Sequence, residues 1–165
     1  MPLINGRGQL GDELTCSSAI FSSIDLYHTW NFLDKSEEAQ NFEFNKLQNY
    51  LTHKKNNNKV IFISTLVQND TPYLKYKKLS EDLILNTSSE NLVIRFPNII
   101  GKGIFTDLIK QNKLPFGIIE CITIKESSKF IINNISKNGV LSCHGWKISA
   151  EAVVDIINLV KKVNL

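Results

Sequence analysis

Two runs, KVIFIST at 59–65 and NLVIRF at 91–96, constrain this chain more than any other feature. Each is a short, nearly unbroken apolar stretch of about one strand's length, without the polar alternation of a half-exposed strand. A strand that is apolar on both sides has to be covered on both sides, which is the position of a strand inside a helix-flanked parallel sheet. The neighbouring segments supply the helices. KSEEAQNFEFNKLQNYLTHKK, 35–55, carries apolar residues at 39, 42, 44, 47, 50 and 51, one helical face, with Ser36 placed to cap it. A strict capping box would want an acid where Ala39 stands. The polar NNN at 56–58 ends that helix. Residues 72–86 read as a second helix with Pro72 in its first turn.

The rest of the chain extends the pattern. PLIN at 2–5 is a very short apolar run that ends at glycines, and 10–22 forms a serine-weakened helix. IDLYHTW, 24–30, has strand composition. After 96 the order is a glycine loop and helix over 100–113, an extended FGIIECITI (116–124), and a helix over 127–137. A short strand GVLSCHG and a terminal helix over 149–163 capped by Ser149 complete it. Strands alternating with helices predict an α/β fold, a reduced Rossmann-like parallel sheet with flanking helices and a small C-terminal portion. With 165 residues the chain fits one domain, a core over 1–103 followed by an abbreviated portion over 104–165.

Composition narrows the function classes. Hydrophobic content of 42% and charged content of 21% are those of a soluble globular protein. Net charge is only +3, and Arg7 and Arg95 are the sole arginines, so a nucleic-acid surface is disfavoured. Cys16, Cys121 and Cys143 are odd in number and widely spaced, which suits free thiols in a reducing, cytoplasmic setting. No apolar run is long enough to span a bilayer, and the N-terminus lacks signal-peptide order. His28, His53 and His144 have no metal-ligand spacing with one another or with the cysteines, so no metal site is expected. Cys143 and His144 read as a strand-end pair, Trp30 and Trp146 as packing residues, and HKKNNNK (53–59) as a solvated turn.

Two motifs carry chemistry. Gly6, Gly8 and Gly11 have G-x-G-x-x-G spacing after a strand and into a helix, where a pyrophosphate could rest on the helix N-terminus. An ordinary glycine turn explains the same residues. The acid that should hold the adenosine ribose about 20 positions on has only Asp25 as a candidate, and Asp25 opens a different strand. The second motif joins Ser64 and Thr65, closing a strand, to Tyr73 and Lys77 one helical turn apart. A lysine ammonium beside a phenol favours the phenolate, so Tyr73 could serve as general acid or base while Ser64 or Thr65 orients a substrate oxygen. A solvated Tyr/Lys pair on a lysine-rich helix is the bland alternative.

Ser64-Thr65, Pro72-Tyr73, Lys77 and Glu81, then Arg95, Asn98, Ile99, Ile100, Gly101 and Gly103 together resemble the extended short-chain dehydrogenase/reductase superfamily. The nucleotide-sugar members of that family show S-S/T…PYxxSKxxxE and, a strand later, R-x-x-N-V-Y/F-G-x-G. The short serine-to-tyrosine gap is closest to capsule-type UDP-sugar reductases, and GQLG at 8–11 is similar to dTDP-4-dehydrorhamnose reductases. The resemblance is sharpest over 59–103. It implies an NAD- or NADP-dependent enzyme on a nucleotide sugar, with Tyr73 as acid/base and Lys77 tuning it and binding the nicotinamide ribose. It further implies that Pro97 and Asn98 lie beside the nicotinamide or the sugar, Gly6, Gly8 and Gly11 under the pyrophosphate, and a homodimer among the partners. A non-catalytic relative binding a partner protein or a nucleotide sugar is the alternative. Departing from the pattern, the chain passes from the glycine helix directly to LYHTW. The strand–helix–strand–helix that normally builds the adenosine pocket is absent.

Overall fold

The computed structural model describes residues 4–5, 9–15, 23–28, 30–31, 33–54, 57–100 and 117–155. In order these form β1 (Ile4–Asn5), α1 (Gln9–Thr15), β2 (Ile24–Tyr27), α2 (Glu37–His53), β3 (Lys59–Thr65), α3 (Pro72–Thr87), β4 (Leu92–Phe96) and β5 (Asn98–Ile100). They continue with β6 (Ile118–Thr123), α4 (Ile124–Asn134), β7 (Gly139–Ser142) and β8 (Trp146–Ser149). The helix expected over 100–113 and the end of the terminal helix lie outside the described residues.

Both diagnostic runs occupy the middle of a five-stranded parallel sheet of order β1-β2-β3-β4-β7. Alternation along each strand divides the core in two. Ile24, Leu26, Ile61, Ile63, Leu92 and Ile94 face α1 and α4, whose Leu10, Leu14 and Ile131 complete that layer. Tyr27, Val60, Phe62 and Val93 face α2 and α3, which contribute Leu47 and Ile84. Helix starts follow their caps. Ser36 Oγ accepts from Ala39 N at 3.3 Å, and Thr71, just before Pro72, accepts from Leu74 N at 3.5 Å. Buried Asn91 binds three elements together. Its Oδ1 accepts from Val60 N and its Nδ2 donates to Ile84 O, each at 2.8 Å, while its carbonyl accepts from Gly139 N at 2.9 Å.

The steps β1→β2→β3→β4 all run the same way across the sheet, yet α1 lies on one face and α2 and α3 on the other. The first crossover therefore has the opposite hand to the next two, although nearly all such units share the right hand. Two further strands outside β1, reached through α1, would restore one hand throughout. That is the part by which the sequence departs from the family pattern.

Three expectations are corrected. Strand β2 stops at Tyr27 rather than Trp30, so the segment after it is free to turn toward α2. Helix α4 begins at Ile124, not 127: Thr123 and Glu126 form a capping box that overrides the strand-like composition of ITI. A second, three-stranded sheet, β5-β6-β8, was not anticipated. In it β5 runs parallel and β8 antiparallel to β6. Ser149 ends β8 and also accepts from Ala152 N at 3.2 Å, opening the helical residues 150–155.

Candidate active site

The carboxyl ends of β3 and β4 carry the two hydroxyls and the single described arginine. Successive residues of a strand point to opposite faces, so Ser64 turns toward α3 and Thr65 away from it. Tyr73, Lys77 and Glu81 follow one another at four-residue intervals on α3, which brings them to one side of that helix. Glu81 is buried and is the hub of a network. Its Oε1 accepts from Ser64 Oγ at 2.5 Å and from Arg95 Nε at 3.1 Å. Its Oε2 accepts from Arg95 Nε at 3.1 Å and Nη2 at 2.5 Å.

A carboxylate only accepts, so Ser64 must donate its single hydrogen to Glu81 and is left as an acceptor. Thr65 Oγ1 accepts from Val67 N at 3.1 Å, which leaves its own hydrogen for an outside oxygen. The geometry thus separates two hydroxyls that the sequence left equivalent. Arg95 and Glu81 were recognised only as motif residues, and their pairing is what sets this division.

Tyr73 and Lys77 sit one turn apart, as the spacing predicts, but their electrostatics differ from the expectation. Burial pushes the Tyr73 phenol up to about 12, with no downward contribution from Lys77. The Lys77 amine is lowered to about 7 by burial, which outweighs the opposing pull of Glu81 and Glu43. Its Nζ donates to Ile63 O at 2.8 Å and lies 4.4 Å above the Trp30 ring and 4.6 Å above that of Phe62. In this state the lysine is directed at the sheet and the aromatic rings, and it does not activate the phenol. Trp30, read from the sequence as a packing residue, belongs to this cluster. No local signal could have found it, because the chain folds it back onto Lys77 from another βα connection.

The remaining candidates are scattered. Gly6 and Gly8 lie outside the described residues, as do Gly101 and Gly103, while Gly11 is buried within α1. Asp25 does not hold a ribose here: it is buried in β2, accepting from Tyr50 Oη at 2.6 Å and Asn58 Nδ2 at 2.9 Å. Pro97 is buried between β4 and β5. Asn98 Nδ2 donates to Glu120 O at 3.0 Å, so that donor serves the second sheet. Cys143 and His144 follow β7 as a strand-end pair. Burial raises the Cys143 thiol to about 11, and exposed His144 pairs with Glu120 at 3.1 Å. Trp146 is 40% exposed and, with Ile122, Phe130 and Cys143, lines an open concavity of about 430 Å³ away from α3. Among the described residues no helix is long and apolar enough to cross a membrane.

No protein-family model matches the sequence, and no curated protein does. Solved structures do match the fold. A dTDP-4-dehydrorhamnose reductase from Clostridium acetobutylicum superposes with a TM-score of 0.76 at 14% identity, over 96% of this chain and 79% of that one. The enzyme WbmH of Bordetella bronchiseptica, crystallised with NAD+, gives 0.63 at 13% identity over 95% of this chain. The dTDP-4-dehydrorhamnose reductase of Bacillus anthracis, in complex with NADP, gives 0.64 at 14% identity over 91% of this chain. The chain spans 63% of the length of WbmH and 68% of the Bacillus anthracis reductase. At these identities the likeness is one of fold, and the fold is the Rossmann-like parallel sheet that the sequence predicts.

Proposed function

We propose that this chain is an NAD- or NADP-dependent oxidoreductase or epimerase-type enzyme acting on a nucleotide sugar in surface-polysaccharide synthesis. The cytoplasm and a homodimer belong to the same proposal. What supports it is that Ser64 and Thr65 close β3 while Tyr73 and Lys77 share one side of α3, the helix that follows, at the end of the sheet where parallel sheets bind ligands. The residues fit the nicotinamide end of such a cofactor. Lys77 is one turn from Tyr73 and would meet a ribose lying across the strand ends once its amine leaves Ile63 O and the rings. They do not fit the adenosine end, because Asp25 is already bound to Tyr50 and Asn58 and β1 is the edge strand of the described sheet.

A bound nicotinamide would supply or accept hydride. The chain's own residues do the rest. Thr65 donates to the sugar oxygen, Glu81 and Arg95 hold Ser64 as an acceptor, and Tyr73 moves the proton. For that step Lys77 has to turn its charge toward the phenol, since the buried phenol alone is a poor base at neutral pH. The unfilled adenosine end favours a second reading, a non-catalytic relative that binds a nucleotide sugar or a partner protein.

Titration with NADH and NADPH, with and without UDP- and dTDP-sugars, tests the first reading by thermal shift. Absence of dinucleotide binding at millimolar concentration refutes it. Where binding occurs, Tyr73→Phe is expected to abolish turnover while largely sparing affinity.

A further inference from the structure

We propose that Trp30 is a working part of the lysine site: its ring, adjoining that of Phe62, holds the amino end of Lys77, and Gln40 is the residue that positions that ring. The geometry on each side is specific. Lys77 is 4% exposed, its Nζ within 4.4 Å of one ring centroid and 4.6 Å of the other, with a single hydrogen bond to Ile63 O. The two rings meet edge-on at 5.9 Å, so they form two walls of one box. An ammonium placed over aromatic faces is attracted by their quadrupoles.

Trp30 does not hold this place by packing alone. Its Nε1 donates to Gln40 Oε1 at 2.7 Å, and Gln40 is fully buried on α2. Gln40 Nε2 in turn donates to Asn31 O at 2.7 Å and to Asp34 O. One amide therefore fixes the indole and both sides of the turn that follows it. All of its donors and acceptors serve the 30–34 segment, and its carbon stem is the sole part left for packing.

The charged groups facing Lys77 are Glu81 on its own helix and Glu43 on α2, with Arg95 of β4 bound to Glu81. Neither carboxylate forms an ion pair with it, so the box and Ile63 O are its immediate partners. Burial in the box places its titration near neutral pH. The link to a cofactor rests on the function proposed above. To reach ribose hydroxyls or Tyr73, Lys77 must leave Ile63 O and the rings, so dinucleotide binding empties the box.

The chain has two tryptophans, and Trp146→Phe leaves Trp30 as the only one, read by excitation selective for indole. In that background, without any dinucleotide, Trp30 emission is expected to follow one transition between pH 6 and 8.5. Lys77→Met and Lys77→Arg, the first never charged and the second always, are both expected to lose it. Gln40→Met, which keeps the stem and removes the hydrogen bonds, is expected to cut its amplitude at least twofold. Absence of the transition, or its survival in both Lys77 variants, overturns the assignment. An unchanged amplitude in Gln40→Met overturns the positioning role. NAD+ is then added at pH 6.5, with binding read separately by thermal shift. Emission is expected to move to the Lys77→Met level, and binding without that change refutes the link. Failure of NAD+ and NADP+ to bind refutes the proposed function and the link with it, while the pH series still decides the box.

Discussion

The cost of keeping Lys77 in its box can be read from stability as well as emission. The side chain titrates near 10.5 when unfolded and at about 7 in the fold. Between those values the unfolded chain binds the proton and the folded chain does not, so stability rises with pH; below about 7 the full penalty persists. Each unit of separation corresponds to about 1.4 kcal/mol, so the penalty reaches about 5 kcal/mol in acid. From pH 7 to 8.5, with the folded group half-titrated at the start, the expected gain is about 1–2 kcal/mol. The window stops there because Cys121 and Cys143, raised by burial to about 11, act in the opposite direction once free thiols ionise. Urea denaturation at pH 7, 7.5, 8 and 8.5 measures it, the midpoint moving up by about 0.5–1.5 M for an m-value of ordinary size. Lys77→Met should be the more stable protein at pH 7 and should lack this slope. Equal slopes in the two proteins would refute the reasoning, because no other change in the pair removes a titrating group.

Two further outcomes follow from single contacts. A Cβ at Gly145 would lie 1.9 Å from the Cys121 carbonyl oxygen, a backbone atom held in β6, so Gly145→Ala should force the β7–β8 connection away. A loss of about 3 kcal/mol or more in urea denaturation is expected, as for other severe core strains; a near-neutral variant would show that β6 and β8 can part freely. Glu81→Gln removes the charge that holds Arg95 and accepts the Ser64 hydrogen bond, at a cost of about 1–3 kcal/mol. The same change takes away an attraction that favours charged Lys77. In the single-tryptophan protein the emission midpoint should therefore shift to lower pH, and a shift to higher pH would contradict the electrostatics.

How far the sequence carried depends on the range of the forces involved. KVIFIST and NLVIRF announced central parallel strands because burial on both faces leaves no polar alternation, and Ser36 and Pro72 marked helix starts because capping is local. Fold class and the Tyr73–Lys77 face were legible for that reason. Strand β8 and the second sheet were not, since WKIS becomes a strand only by pairing with β6, which lies far back in the chain.

Within the site, the sequence by itself determined which residues share a helix face and which hydroxyls close β3, because both are matters of periodicity. Tertiary structure alone decided what those groups are free to do. Glu81 meets Ser64 and Arg95 across two strands and a helix, which commits one hydroxyl and leaves Thr65 its hydrogen. Trp30, held by Gln40 of another segment, and Phe62 enclose Lys77, while the Tyr73 phenol is raised by its own burial with no contribution from Lys77. Spacing fixes neighbours along a helix, but desolvation depends on everything packed around them, and only the folded chain brings those atoms together.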